Sequence, residues 1–343
     1  MNRTELVKTL ELVQPALSTN NLVPVFSCFM FGKSTISAYN DSLGIVAKGS
    51  VGTEPFATPG VTLLGLLQNS HAEEVDFELT KEYVIAKTGK SVFKLPYETK
   101  FLFTQPKESW DATIEINPDV LKGVEICLTT SSKDQAQPAI MGVCFNFDST
   151  KLFSCDGDAI TRYSPTVNML GKGSYTIPNA FCDALLKITA ETGVTEGELE
   201  VSRDWAAAHL NNGFHLYGRM IVNDKPLDHQ KLIDSTLQGK QPFVPLPLGL
   251  NEALARARVL ADIETKVTNM TIKDGVIQLW TSTHMGDIKD TVKIKGHPDV
   301  EALVHASLVA RSIAVCDQIS IRENATAYKL DNTVLQVVSN IGE

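Results

Sequence analysis

The stretch VDFELTKEYVIAKTGKSVFKL (residues 75–95) decides the fold, because its pattern occurs three times in the chain. Apolar and polar residues alternate up to Leu79, a polar break covers Thr80–Glu82, alternation resumes, and Thr88-Gly89-Lys90 turns the chain into a third strand. GELEVSRDWAAAHLNNGFHLYG (197–218) keeps that order, with its break at Ser202–Asp204 and its turn at Asn211-Asn212-Gly213. So does DQISIRENATAYKLDNTVLQVV (317–338), with its break at Arg322–Asn324 and its turn at Asp331-Asn332. Alternation with period two marks strands with one buried face, and Asn, Asp and Gly supply the backbone conformations that tight hairpins require.

Upstream of each stretch lies an apolar run at helical spacing behind a proline: TPGVTLLGLLQN (58–69), IPNAFCDALLKI (177–188) and HPDVEALVHASLVARSIAV (297–315). Pro59, Pro178 and Pro298 stand 119 and 120 residues apart. Proline is favoured in the first helical turn, where its missing N–H would lack a partner anyway. Each unit also opens with a helical pattern, over Glu5–Leu17, Pro118–Thr129 and Gly249–Ala261. Leu6, Leu10 and Val13, or Leu250, Leu254 and Ala257, form one apolar stripe on such a helix. Between the two helices of each unit lie further strand pairs: STISAYNDSLGIVAKG (34–49), KLFSCDGDAITRYSP (151–165) and GVIQLWTSTHMGDIKDTVKI (275–294). Repetition at a long, nearly constant period predicts an α+β chain of three similar domains, over 1–108, 109–240 and 241–343. Each would be a two-layer domain, with two helices on one face of antiparallel sheet.

Composition agrees. A chain of 343 residues exceeds one ordinary core, and 43% hydrophobic with 21% charged residues is a globular rather than a disordered balance. No apolar run approaches the roughly 20 residues of a membrane helix, and MNRTELVKTLELVQ is an amphipathic pattern rather than a signal peptide. The expectation is a cytoplasmic protein with no membrane partner. Cys28, Cys127, Cys144, Cys155, Cys182 and Cys316 form no CxxC pair and read as reduced thiols, four of them in apolar surroundings. The net charge of −9 does not locate the charges, and an acidic exterior is compatible with a basic inner face.

Motifs of catalysis are missing. Gly32-Lys33-Ser34 and Gly89-Lys90-Ser91 lack the earlier glycine of a phosphate loop, since Ser27 and Val84 occupy that position, and both fall in turns between strands. Asp156-Gly157-Asp158 offers a carboxylate pair for metal or acid–base work, but Asp-Gly between two strands reads more readily as a turn. The seven histidines form no HxxxH or HExxH pattern and no cluster with cysteine, and no GxSxG elbow occurs. The chain is expected to be no enzyme and to need neither cofactor nor metal.

With the repeat laid out, the chain resembles the bacterial DNA polymerase III β subunit, the three-domain sliding clamp. The architecture carries the resemblance over essentially the whole chain. Local matches are Val23-Pro24-Val25 after the opening helix, Asp156-Gly157 with Ile160, and Leu254-Ala255-Arg256-Ala257-Arg258-Val259-Leu260 in the third unit. The resemblance implies a processivity factor: two chains joined head to tail in a ring that encircles duplex DNA, placed there by a clamp loader and holding the replicative DNA polymerase. Val259 and Leu260 match the family's dimer interface, with Phe101 and Phe103 as partners across it. Phosphates would meet basic residues of the six helices without regard to sequence, the candidates being Arg3, Lys8, Lys122, Lys187, Arg256, Arg258 and Arg311. Which of them face the hole stays open.

The family's pocket for short partner peptides maps to Ile140, Cys155, Gly157, Ile160, Pro226, Val337, Val338 and Ile341. Here the chain departs from the pattern. Asp158-Ala159 stands where the family has His-Arg, and Ser339-Asn340-Ile341-Gly342-Glu343 replaces a Met-Pro-Met-Arg-Leu terminus. Asn20 and Pro138-Ala139 occupy places where the family carries a DNA-contacting arginine and a tyrosine pair. An altered peptide preference is expected, which fits a divergent clamp from a phage or similar replicon. The alternative is a clamp-like scaffold that binds replication or repair proteins without encircling DNA.

Overall fold

The computed structural model describes residues 1–20, 23–99, 103–106, 109–221, 227–239, 241–261 and 267–341. The first repeat runs α1 (Arg3–Val13), β1 (Cys28–Phe31), β2 (Thr35–Tyr39), β3 (Leu43–Lys48), β4 (Phe56–Pro59), α2 (Gly60–Gln68), β5 (Asp76–Leu79), β6 (Tyr83–Thr88) and β7 (Ser91–Pro96). The second runs β8 (Ala112–Ile116), α3 (Pro118–Leu128), β9 (Gly142–Asn146), β10 (Lys151–Cys155), β11 (Ala159–Tyr163), β12 (Met169–Leu170) and β13 (Ser174–Pro178). It continues with α4 (Asn179–Thr192), β14 (Gly197–Val201), β15 (Trp205–Leu210) and β16 (His215–Arg219). After α5 (His229–Thr236) and β17 (Val244–Pro245), the third repeat opens with α6 (Leu250–Leu260), β18 (Val267–Lys273), β19 (Val276–Thr283) and β20 (Gly286–Lys293). It ends with β21 (Val300–His305), α7 (Ala306–Ile313), β22 (Gln318–Ile321), β23 (Ala325–Leu330) and β24 (Val334–Ser339).

The three polar breaks adopt one geometry. Thr80, Ser202 and Arg322 each donate a backbone N–H to the carbonyl three residues on, at Tyr83, Trp205 and Ala325, over 2.9, 2.8 and 2.9 Å. One expectation needs correction. Pro59 and Pro178 end a strand and cap the helix that follows, but Pro298 does not begin a helix. Val300–His305 is strand β21, paired with β18 from Ile272↔Val300 to Val267↔His305, and α7 starts behind His305. Val-Glu-Ala-Leu-Val-His satisfies both helical and strand spacing, and the open edge of β18 settles it as a strand. The helices therefore start at Gly60, Asn179 and Ala306, intervals of 119 and 127 residues.

The chain forms two compact units, residues 1–121 with 167–222, and residues 122–166 with 223–343. In the first, a nine-stranded sheet runs β12-β8-β14-β15-β16-β3-β2-β1-β4, beside a three-stranded sheet β5-β6-β7. Antiparallel pairing of β16 with β3, from His215↔Val46 to Gly218↔Leu43, carries strands of the first and second repeats into one sheet. Leu6, Leu10 and Val13 of α1, Leu63 and Leu67 of α2, and Phe181 and Leu185 of α4 are buried. A side chain at Gly218 would stand 2.7 Å from the Phe181 ring, so glycine there lets α4 approach the sheet.

In the second unit the strand run is β9-β10-β11-β24-β23-β22-β17, and β11 pairs with β24 from Ala159↔Val338 to Tyr163↔Val334. A separate four-stranded sheet, β20-β19-β18-β21, buries Met270, Ile272, Ile277, Leu279, Ala302 and Val304 on one face. The second repeat thus gives strands to both units. Its expected border at residue 240 marks the sequence repeat, while the sheets follow strand pairing.

Candidate functional site

The β10–β11 hairpin turns at Asp156-Gly157-Asp158, where Gly157 takes a φ of 98° that side-chain-bearing residues avoid. Asp156 Oδ1 accepts from the backbone N–H groups of Asp158 (3.1 Å) and Ala159 (2.7 Å). Its Oδ2 accepts from Arg311 Nη2 of α7 at 3.1 Å. The aspartate is therefore engaged in holding the turn, as its Asp-Gly sequence favours. Asp158 stays exposed at the tip.

Next to this turn, Cys155 opposes Ile160 and Ile160 opposes Val337 across three strands. These side chains are buried with Cys144, Phe153, Ile233, Ala325, Ala327 and Leu335, and Ile140, Leu237 and Phe243 border them half-buried. Helix α5 lies on this cluster through Ile233, and the His229 ring stacks on Phe153 at 5.4 Å. Burial pushes His229 down to about 4 and the Cys155 thiol up, so both are neutral near pH 7. Arg322 Nη1 donates to the carbonyls of Leu237, Gln238 and Gly239 (2.9, 2.9 and 3.1 Å), pinning the chain as it leaves α5.

Of the candidate pocket residues, Ile140, Cys155, Ile160 and Val337 come together and Gly157 stands at their edge. Val338 does not join them: period two turns it to the other face, between Ala159 and Thr326. Ile341 is drawn toward β21, its N–H donating to the Leu303 carbonyl at 2.8 Å. Pro226 lies outside the described residues. The cluster is a packed apolar core bordered by half-buried Ile140, Leu237 and Phe243, with acidic Asp158 exposed at the neighbouring turn.

The basic candidates divide in two. Arg3 donates to the carbonyls of Ala72 (2.7 Å) and Leu67 (2.9 Å), and Lys187 donates to the Glu11 carbonyl at 2.9 Å. Arg256 grips Asp290 with two hydrogen bonds of 2.9 and 3.0 Å, and Arg311 holds Asp156. Lys8, Lys122 and Arg258 are exposed, with no partner among the described residues. Lys8 and Lys187 share a cleft of about 570 Å³ with Glu5, Glu11 and Glu191. Across α1, α2, α3, α4, α6 and α7 the sequence has seven basic and seven acidic residues, so these helices carry no net charge and the whole surplus of acid lies elsewhere.

The interface candidates divide likewise. Val259 is 80% exposed near the end of α6, and Leu260 beside it is half-buried. Phe103 stacks on Tyr39 at 4.7 Å, meets Tyr217 at 5.7 Å, and lies over Gly44, where a side chain would come within 2.7 Å of its ring. It belongs to the packing of its own unit rather than to a free edge. Phe101 lies outside the described residues. Spacing alone missed the free edges: β7 ends its sheet and β20 ends its own, and alternation in both is the signal that could have found them.

No protein-family model matches the sequence, and no curated protein does. Solved structures match along the full length. The DNA polymerase III β subunit of Thermotoga maritima superposes with a TM-score of 0.87 at 15% identity, over 100% of this chain and 98% of that one. The β subunit from Pseudomonas aeruginosa gives 0.87 at 14% identity, over 100% and 99%. The Helicobacter pylori β clamp bound to a DNA ligase peptide gives 0.82 at 13% identity, again over 100% and 99%. Threefold repeat, element order and sheet pairing thus converge on one architecture: this chain has the sliding-clamp fold of the bacterial DNA polymerase III β subunits.

Proposed function

We propose that this protein is a DNA sliding clamp, a processivity factor that encircles duplex DNA and tethers a replicative polymerase. The observation that carries the reading is the full-length match to DNA polymerase III β subunits at TM-scores up to 0.87. Its three repeats act as three domains, over 1–108, 109–240 and 241–343, and two chains close head to tail. Edge strands β7 and β20 are suited to pair between chains, with Val259 packing beside them. The mechanism is confinement, which needs no tight grip on DNA and no catalytic group. A clamp loader would bring its own ATP, and the protein would work in the cytoplasm of a bacterial or phage-infected cell.

A partner peptide would dock at the half-buried border of the cluster of Cys155, Ile160 and Val337; the Helicobacter pylori β clamp, which shares the fold, is bound to a DNA ligase peptide. Acidic Asp158 at its edge favours a peptide different from the usual bacterial clamp motif. Equal affinity of that motif for this protein and for a typical bacterial clamp would refute the altered preference.

A second reading, a scaffold that does not encircle DNA, draws on the helices' lack of net charge. The deciding experiment loads the protein on nicked circular DNA with its cognate loader, raises the salt and then linearises the circle. Retention on the circle and loss after cutting is expected. Loss from the intact circle at moderate salt, with loading shown to be competent, would favour the scaffold.

A further inference from the structure

Glu198 on β14, His209 on β15 and His215 on β16 form one row across three neighbouring strands, Glu198 opposite His209 and His209 opposite His215. They lie on the face that carries Tyr217, while the alternate residue Gly218 meets α4. The two imidazoles face each other through Nδ1, 2.7 Å apart, so a single proton lies between them. His209 Nε2 is 3.3 Å from Glu200 Oε2. In its Nε2–H tautomer His209 presents the lone pair of Nδ1 to His215. A carboxylate beside one ring nitrogen favours the tautomer in which histidine binds a metal through the other.

We propose that His209 and His215 chelate a borderline divalent cation, Zn²⁺, Ni²⁺ or Cu²⁺, through their Nδ1 atoms, the His215 proton passing from Nδ1 to Nε2 by way of solvent, with Glu198 as third ligand and water completing the sphere. With metal–nitrogen bonds of about 2.0–2.1 Å, the two Nδ1 atoms stand roughly 2.9 Å apart at a right angle and roughly 3.3 Å apart at the tetrahedral angle, so the rings part by about 0.2–0.6 Å and rotate until both lone pairs converge on the ion. No set of three ligands is already gathered among the described residues, and Glu198 must swing from Thr113, whose hydroxyl it now accepts at 3.0 Å. Glu198 and Glu200 supply two negative charges. The positive charge of Lys48 on β3 acts on His215 against them.

The test is isothermal titration of the chelator-treated full chain with ZnCl₂ and with NiCl₂ at pH 7.5. One ion per chain is expected. His209→Gln and His215→Gln should each weaken binding by roughly tenfold or more, Glu200→Gln by about tenfold, and His284→Gln not at all. Imidazole nitrogen NMR of the unaltered protein serves if a variant fails to fold: zinc should move the signals of His209 and His215. Absence of saturable binding, unchanged affinity in both histidine variants, or zinc shifts confined to other histidines would overturn the proposal.

Discussion

Arg311 on α7 and Asp156 at the tip of the β10–β11 hairpin are bound to each other at 3.1 Å, both largely shielded from water. The link joins a helix to the turn beside the proposed peptide cluster, and the same carboxylate closes that turn. Asp156→Ala removes one ion pair and the acceptor of two backbone N–H groups at once, and should cost about 2–3 kcal/mol. Asp156→Asn keeps Oδ1 for the turn and should cost about half as much. Urea unfolding of the two variants checks the order; equal losses would mean that the turn bonds contribute little.

Stability should fall with acid through His229. Its folded pKa of about 4 lies below the ordinary 6.5. Between pH 6.5 and 4 the unfolded chain takes up a proton that the folded chain refuses, so stability drops as pH falls through that window. The full loss is up to about 3 kcal/mol and is complete below about pH 4. His209 and His215 are shifted the same way, so the measurement is a difference. His229→Phe, which keeps the stack on Phe153, should lose less stability than the parent between about pH 7.5 and pH 5.

If the protein encircles DNA, electrostatic adhesion should rest on Lys8, Lys122 and Arg258. Replacing all three by alanine should lower the slope of log affinity against log salt by about 0.9 for each phosphate no longer neutralised. Arg256→Ala should leave the slope unchanged, because Asp290 already holds that guanidinium. Binding of linear DNA at several salt concentrations tests both statements.

If two chains close head to tail, Val259→Asp places a charge on an exposed apolar position and should shift sedimentation toward monomer, with the chain's own stability within about 0.5 kcal/mol of the parent. Phe103→Ala should do the reverse. It empties the space between Tyr39, Gly44 and Tyr217, costs about 2–4 kcal/mol, and leaves the dimerisation of the folded protein alone.

The linear chain by itself determined the three helix-and-hairpin repeats, their breaks and their turns. These are local: alternation, helical stripes and turn chemistry act within a few residues, and Thr80, Ser202 and Arg322 close the same backbone bond in each copy. Tertiary structure decided where local signals were ambiguous or silent. Val300–His305 is a strand because β18 offered an unpaired edge. Val337 and Val338 separated onto opposite faces once register was set. Arg256 and Arg311, plain helical cations in sequence, found carboxylates 34 and 155 residues away. His209 and His215, six residues apart and without a ligand motif, became a facing pair only when β15 folded onto β16. Strand pairing brings distant side chains within bonding distance, and no pattern confined to neighbouring residues encodes which ones will meet.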